Sequence, residues 1–288
     1  MAGETLNIVI VSYRGAALLR RCLGSLREHL PEGLATVTVV DNAGAGGTAT
    51  MVAAEFPEVD LRAQSRNLGF AAASNIGIVA GKAPLVLILN PDAAIESGTL
   101  APLLDLLDSR PEVGCCGPAL IREDGSFDHA ARRSFPTPLS ALGHFSGIGT
   151  RLGAGPLAAY RAPNVDRGPV DAINGAFMMI RRAALADVGL FDAGYWMYME
   201  DLDLCYRLQE HGWVTFYEPR SRALHTKAGT TGGRRGPRLD IAFHRGMGRF
   251  YRRHYAADRS GLVNLAVYAG IGAKLAISLI AGIRPGRT

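Results

Sequence analysis

The side chains of this sequence best suited to chemistry are acidic and fall at a few well-defined places. Asp92 stands three residues beyond an apolar run, Leu85–Leu89 (LVLIL), in the tripeptide Asn90-Pro91-Asp92. A carboxylate there suits a hard divalent cation that also holds a phosphate, although an acid before AAIESGTL can equally cap a helix. Glu200, Asp201 and Asp203 crowd the head of the segment YMEDLDLCYRLQEHGW. A helix dipole favours acids at its N-terminus, but these three exceed what capping needs. His225, in ALHTKAGTTGG, reads by itself as a hydrogen-bonded core histidine as readily as a ligand. Together Asp92, Asp201 and His225 supply a metal ligand, a base and a second ligand.

The elements that must position these groups follow from periodicity. Short apolar runs at 6–11, 36–40, 60–63 and 85–89 alternate with helical patterns at 16–29, 48–55, 71–80 and 100–109. Continuous apolar strands between helices predict an α/β fold with a mostly parallel sheet covered on both faces. Ligands then bind beyond the carboxyl ends of the strands, where Ser12-Tyr13, Asp41-Asn42 and Asn90-Pro91-Asp92 fall. Further strands are expected at 113–121, 170–180 and 214–217, and helices at 183–188 and 200–211. The first turn reads VSYRG, so neither a dinucleotide fingerprint nor a phosphate-binding P-loop is present. Cys22, Cys115, Cys116 and Cys205 form no CxxC pair and are expected to be reduced and buried. The N-terminus MAGETLNIVIVSYRG lacks the pattern of a signal peptide, and a cytoplasmic-side protein is expected.

The ordered stretches VSYR, VVDNAGAGGT, RNLGFAAASNIG, LILNPDA, NGAFMMIRR, MYMEDLDLCYRL and LHTKAG resemble an inverting family 2 glycosyltransferase of the GT-A fold. Within that family, GPALIREDGSFDHAARRSFPTP and YMEDLDLCYRLQEHGW are similar to bacterial dTDP-rhamnose-dependent rhamnosyltransferases. The resemblance implies transfer of one L-rhamnose from dTDP-L-rhamnose to an acceptor such as polyprenyl-diphosphate-linked N-acetylglucosamine, with Mg²⁺ or Mn²⁺ as cofactor. It implies that Ser12, Tyr13 and Asp41 hold the nucleotide, and that Arg66, Asn67, Gly69 and Asn75 line the nucleotide-sugar pocket. Asn90 replaces the first acid of the family's Asp-x-Asp, leaving Asp92 as the main carboxylate ligand and His225 as its partner. Asp201 would be the catalytic base, with Glu200 and Trp196 on the acceptor side. Transfer of another hexose, or binding of a nucleotide sugar without transfer, remain alternatives at this stage. Arg132-Arg133 reads as a solvated pair or a contact to a lipid-linked diphosphate, and Thr230–Arg238 as a lid over bound donor.

Charge divides the chain unevenly. Residues 234–288 hold 11 Lys/Arg against 2 Asp/Glu, whereas residues 1–233 hold 20 against 24. The expected division is a GT-A domain over 1–240 and a basic, apolar helical extension over 241–288. No nucleic-acid recognition motif accompanies the basic stretch HRGMGRFYRRHYAADR. The apolar segment 262–283 contains Lys274; it can dock on an anionic membrane, span it, or pack on the domain. Docking on the inner face of the plasma membrane would suit a lipid-linked acceptor.

Overall fold

The structure, a computed structural model, describes residues 4–43, 47–136, 165–226 and 236–283. In chain order the first half comprises β1 (Leu6–Ser12), α1 (Ala16–His29), β2 (Ala35–Asp41), α2 (Thr48–Glu55), β3 (Asp60–Ala63), α3 (Phe70–Ala80), β4 (Leu85–Leu89), β5 (Ala93–Ile95), α4 (Ala101–Ser109) and β6 (Val113–Ile121). Then follow β7 (Arg132–Arg133), β8 (Gly168–Pro169), β9 (Ala172–Ile173), β10 (Phe177–Arg181), α5 (Arg182–Val188), α6 (Glu200–Glu210), β11 (Val214–His225), α7 (Pro237–His254) and α8 (Gly261–Ile283).

The main sheet runs β3-β2-β1-β4-β10-β6-β11-β5, with β8 added against β11, and β7 pairs β9 in a separate ribbon. β1 to β4 are parallel, as are β6 and β11; β10 runs antiparallel between β4 and β6, and β5 antiparallel to β11. Every residue of β1 and β4 is buried, as unbroken Leu/Ile/Val runs require when helices cover both faces. Helix α3 approaches the sheet closely because it is built from small residues. A Cβ added at Gly77 would lie 2.3 Å from a Val9 methyl, so only glycine allows this contact. The expected mostly parallel α/β architecture is therefore the one observed.

Three local expectations are corrected. The apolar stretch 170–180 is two strands, broken at Asn174-Gly175, rather than one. The late strand does not stop at Tyr217: β11 continues to His225 through an irregularity between Glu218 and Arg222. Asp92 precedes the short strand β5 and not a helix, which removes the capping explanation for it. The lid expected over Thr230–Arg238 lies largely outside the described residues, which resume at Gly236.

Helix α7 is tied to the body through the buried Asp203 and the partly buried Asp192. Asp203, fully buried in α6, accepts from Tyr195 Oη at 3.2 Å and Arg207 Nε at 2.8 Å, and lies 2.8 Å from His254 Nε2 at the end of α7. Asp192 takes a bidentate pair from Arg249, both bonds 2.9 Å, and a further contact from Arg253. Burial works against the Asp203 charge, but His254 and Arg207 outweigh it and hold the carboxyl below its ordinary range. This contribution to stability is complete above the unfolded aspartate range, near pH 4, and is lost as pH falls through the lower native value. Replacing Asp203 with Ala strands His254 in the interior and leaves Arg207 with backbone carbonyls but no counter-charge there. The expected cost is about 3–5 kcal/mol in urea unfolding at neutral pH. The gap from wild type should close as the acid limb is approached.

Candidate active site

The carboxyl ends of β1, β2 and β4 carry the polar residues singled out in the sequence. Ser12 and Asp41 are paired neighbours on β1 and β2, and the Asn42 amide donates to Ser12 carbonyl at 2.8 Å. Both side chains are buried; Ser12 Oγ has no hydrogen-bond partner, and burial raises the Asp41 carboxyl above its usual range. Asn42 then fastens the loop before α3. Its Nδ2 donates to Asn67 Oδ1 and Gly69 carbonyl, each at 3.1 Å, and its Oδ1 accepts from Leu68 N–H at 2.9 Å. Arg66 in this loop and Tyr13 after β1 are both exposed, with the Arg14 guanidinium 5.3 Å from the Tyr13 ring centre.

Gly69 has a backbone approach that no other residue could make, although its neighbour is protein. At φ +88° it lies so close to Trp196 that an added Cβ would stand 2.3 Å from the Trp196 carbonyl oxygen. Phe70 N–H donates to that same carbonyl at 2.8 Å. Asn75 is also engaged by the protein itself: its amide makes both a donor bond (2.8 Å) and an acceptor bond (3.1 Å) with the Phe191 backbone. Its side chain therefore fixes the acidic turn from behind, a task that sequence reading did not assign to it.

That turn enters α6 through two consecutive non-glycine residues at positive φ, Tyr198 (69°) and Met199 (71°). Such backbone is costly for residues with a Cβ and persists only where the surroundings impose it. Here Gly246 of α7 lies against Met199 and the Tyr198 carbonyl, and Phe243 stacks edge-on to the Tyr198 ring at 5.8 Å. The result places Glu200 and Asp201 at the first turn of α6, both buried. Asp201 Oδ2 accepts from Arg133 and from Gly175 N–H at 3.0 Å; Oδ1 accepts from Leu202 N–H at 2.8 Å. A carboxylate has about four lone-pair positions, so these three donors leave room for one more proton-bearing partner. Glu200 Oε2 is buried without a partner, and burial together with the Asp201 charge pushes its carboxyl up to about 8.

The second acidic group lies at the end of β11. His225 Nε2 is 3.5 Å from Asp92 Oδ1, and its Nδ1 is 3.5 Å from Asp128 Oδ2. All three side chains are more than 90% buried. Burial disfavours an imidazolium, but Asp128 and Asp92 more than compensate and raise His225 to about 9. The imidazole lies between the two carboxylates, and among the described residues no three such groups converge on one point. Asp92 Oδ1 has no hydrogen-bond partner, an orphaned buried oxygen beside an imidazole, which is the donor set a divalent cation would use.

The two acidic groups are joined through the β9–β10 turn. Asn90 N–H donates to Ala176 carbonyl at 2.9 Å, and the adjacent Gly175 N–H holds Asp201. Sequence reading missed two contributors. Arg133 is not a solvated residue: its side chain is 20% exposed and its guanidinium pairs with Asp201. Arg132 stacks 4.5 Å from the Tyr217 ring centre. Asp128, flanking His225, was visible only as one acid within GSFDHAARR. The order of residues carries no signal for either partnership, since each spans a long separation along the chain.

Comparisons with known proteins give the family and the fold. Residues 4–239 match the family model described as Glycosyltransferase like family 2. The chain is 33% identical over 255 residues to the N-acetylglucosaminyl-diphospho-decaprenol L-rhamnosyltransferase of Mycobacterium tuberculosis, covering 84% of this chain and 81% of that protein. Its fold is similar to GalNAc-T7 solved with UDP, GalNAc and Mn²⁺, at TM-score 0.63 and 19% identity, over 87% of this chain and 48% of that one. It is likewise similar to the mannosyltransferase PcManGT from Pyrobaculum calidifontis with GDP-Man and Mn²⁺, at TM-score 0.60 and 17% identity, over 99% and 78% of the two chains. A family match across most of the chain, on a sheet whose carboxyl edge gathers these acids, makes this protein a member of glycosyltransferase family 2, a glycosyltransferase of the GT-A fold.

Proposed function

We propose that the enzyme is an inverting rhamnosyltransferase, moving one L-rhamnose from dTDP-L-rhamnose to N-acetylglucosamine carried on a polyprenyl diphosphate at the cytoplasmic face of the membrane. The observation that carries the reading is the buried Asp201, held by Arg133 and Gly175 with one lone pair to spare, on the same sheet edge as the Asp92–His225 pair. The relative in Mycobacterium tuberculosis supports the sugar and the acceptor.

In this reading Ser12, Tyr13, Asp41, Arg66 and Asn67 face the nucleotide, and Asn90, Asp92 and His225 face the diphosphate. Asp92 and His225 would hold Mg²⁺ or Mn²⁺, which as a Lewis acid neutralises the charge developing on the departing diphosphate. Asp201 accepts the proton of the acceptor hydroxyl as its oxygen bonds to the anomeric carbon and the bond from that carbon to the diphosphate oxygen breaks. One base opposite one leaving group gives inversion in a single displacement. Glu200 and Trp196 meet the acceptor. Arg133 is a positioning residue: with Gly175 it fixes the Asp201 carboxylate, and its removal frees that group to turn.

Three measurements test the reading. Mass spectrometry of products should show gain of one deoxyhexose on a short-chain polyprenyl-diphosphate N-acetylglucosamine with dTDP-rhamnose alone, and none after chelation; gain from another donor instead overturns the sugar. Asp201→Asn should lower kcat by roughly 10²–10⁴ while dTDP affinity by calorimetry stays unchanged. Lost nucleotide binding in the folded variant would remove the base role. His225→Ala should weaken Mn²⁺ binding to the dTDP complex by at least about tenfold, read by electron paramagnetic resonance without turnover.

A further inference from the structure

Helix α8 is inside out for a protein in water. Its strongly polar side chains, Asn264, Lys274 and Ser278, all lie in the half-buried stripe turned toward the protein. Two of them make hydrogen bonds there: Asn264 Oδ1 accepts from Tyr251 Oη at 2.7 Å, and Ser278 Oγ donates to Asp240 Oδ2 at 2.8 Å. The outward face presents Leu262, Leu265, Ile277 and Ile280, each at least 60% exposed, with alanines and glycines between them. Between Gly261 and Ala281 only Ile271 is buried, so this is no core helix. A helix apolar on its open side is matched to hydrocarbon, not to water.

The two hydrogen bonds also fix the orientation. One joins the end of α7 to the start of α8, the other the start of α7 to the end of α8, so the helices form an antiparallel hairpin along nearly their full length. Helix α7 carries Arg245, Arg249, Arg252 and Arg253 and cannot enter a bilayer core. While the hairpin holds, α8 can lie in a membrane surface but cannot cross it. Exposed Arg252 and Arg259 flank the start of α8, within a stretch of 11 basic and 2 acidic residues, which selects an anionic surface.

We infer that α8 docks in the plane of an anionic bilayer, its Leu262–Ile280 face among the acyl chains and its polar stripe clamped on α7. The same α7 braces the acidic turn through Gly246 and Phe243, and Arg238 near its start lies 4.7 Å over the Trp196 ring. The docking helix and the acceptor side of the site are thus two faces of one scaffold. This second part rests on the lipid-linked acceptor proposed above; the docking itself does not.

The test uses the full chain with phosphatidylcholine vesicles, with and without phosphatidylglycerol, and the triple variant Leu265→Gln/Ile277→Gln/Ile280→Gln. Wild type should float with the anionic vesicles, be released by alkaline carbonate, and lose at least about tenfold in partition when the three apolar side chains are replaced. The variant should keep its rate on a short, water-soluble acceptor and lose rate only on a long-chain one in vesicles. A wild type that stays in solution, or an unchanged partition in the variant, overturns the docking. Retention after carbonate overturns the in-plane orientation in favour of a span. A wild-type dimer that the variant converts to monomer, with no vesicle binding, assigns the face to a second copy instead. Equal loss on both acceptors with intact vesicle binding would count against the acceptor link and leave the docking standing.

Discussion

The closest approach between the two halves of the site is backbone to backbone, where Phe70 N–H donates to Trp196 carbonyl. The loop before α3 belongs to the β1–β4 half of the sheet, and the turn before α6 to the half built on β10, β6 and β11. Their backbones meet at Gly69, where a side chain has no room. Asn42 fixes the first loop and Asn75 fixes the second through Phe191, so side-chain amides reinforce the junction from both sides. The acids at 200 and 201 can then be held in a strained turn, because the turn cannot relax without breaking these contacts.

The second constraint is electrostatic. Buried carboxylates are costly unless each finds a cation or several hydrogen-bond donors. Asp203, Asp192 and Asp201 meet that requirement with arginine, histidine or backbone amides from distant segments, and so become the ties between elements. Glu200 and Asp92 each keep a buried oxygen without a partner. Asp203 and Asp192 thus build the fold, Glu200 and Asp92 are left available to a substrate or a metal, and Asp201 does both, anchored by three donors with one lone-pair position to spare.

Much of this was legible in the residues. LNIVIVS and LVLIL could only be covered strands, and the acids after LILNP and at YMEDLD are the ones the structure buries at the carboxyl edge of the sheet. What the sequence hid was partnership. Asn75 reads as a polar residue on a helix, and nothing local says that it pairs with Phe191 more than one hundred positions away. Arg132 and Arg133 look identical, yet one stacks on Tyr217 and the other pairs with Asp201. The strand β11 was read short because Glu218, Pro219, Arg220 and Ser221 have neither apolar alternation nor strand propensity, and only pairing on both sides reveals that it continues. The break at Asn174-Gly175 carried a turn signal that the flanking apolar residues outweighed.

The irregularity in β11 sets which face of the sheet His225 occupies. Glu218 pairs with Pro118 and Arg222 with Ala119, so three residues of β11 stand where the neighbouring strand has none. Side chains alternate across a strand with period two, and an odd insertion reverses every position beyond it. Had β11 run on without the bulge, His225 would have been turned to the side of the sheet away from Asp92. Three unpaired residues thus set the phase in which β11 resumes its pairing, and with it the side of the sheet that this histidine serves.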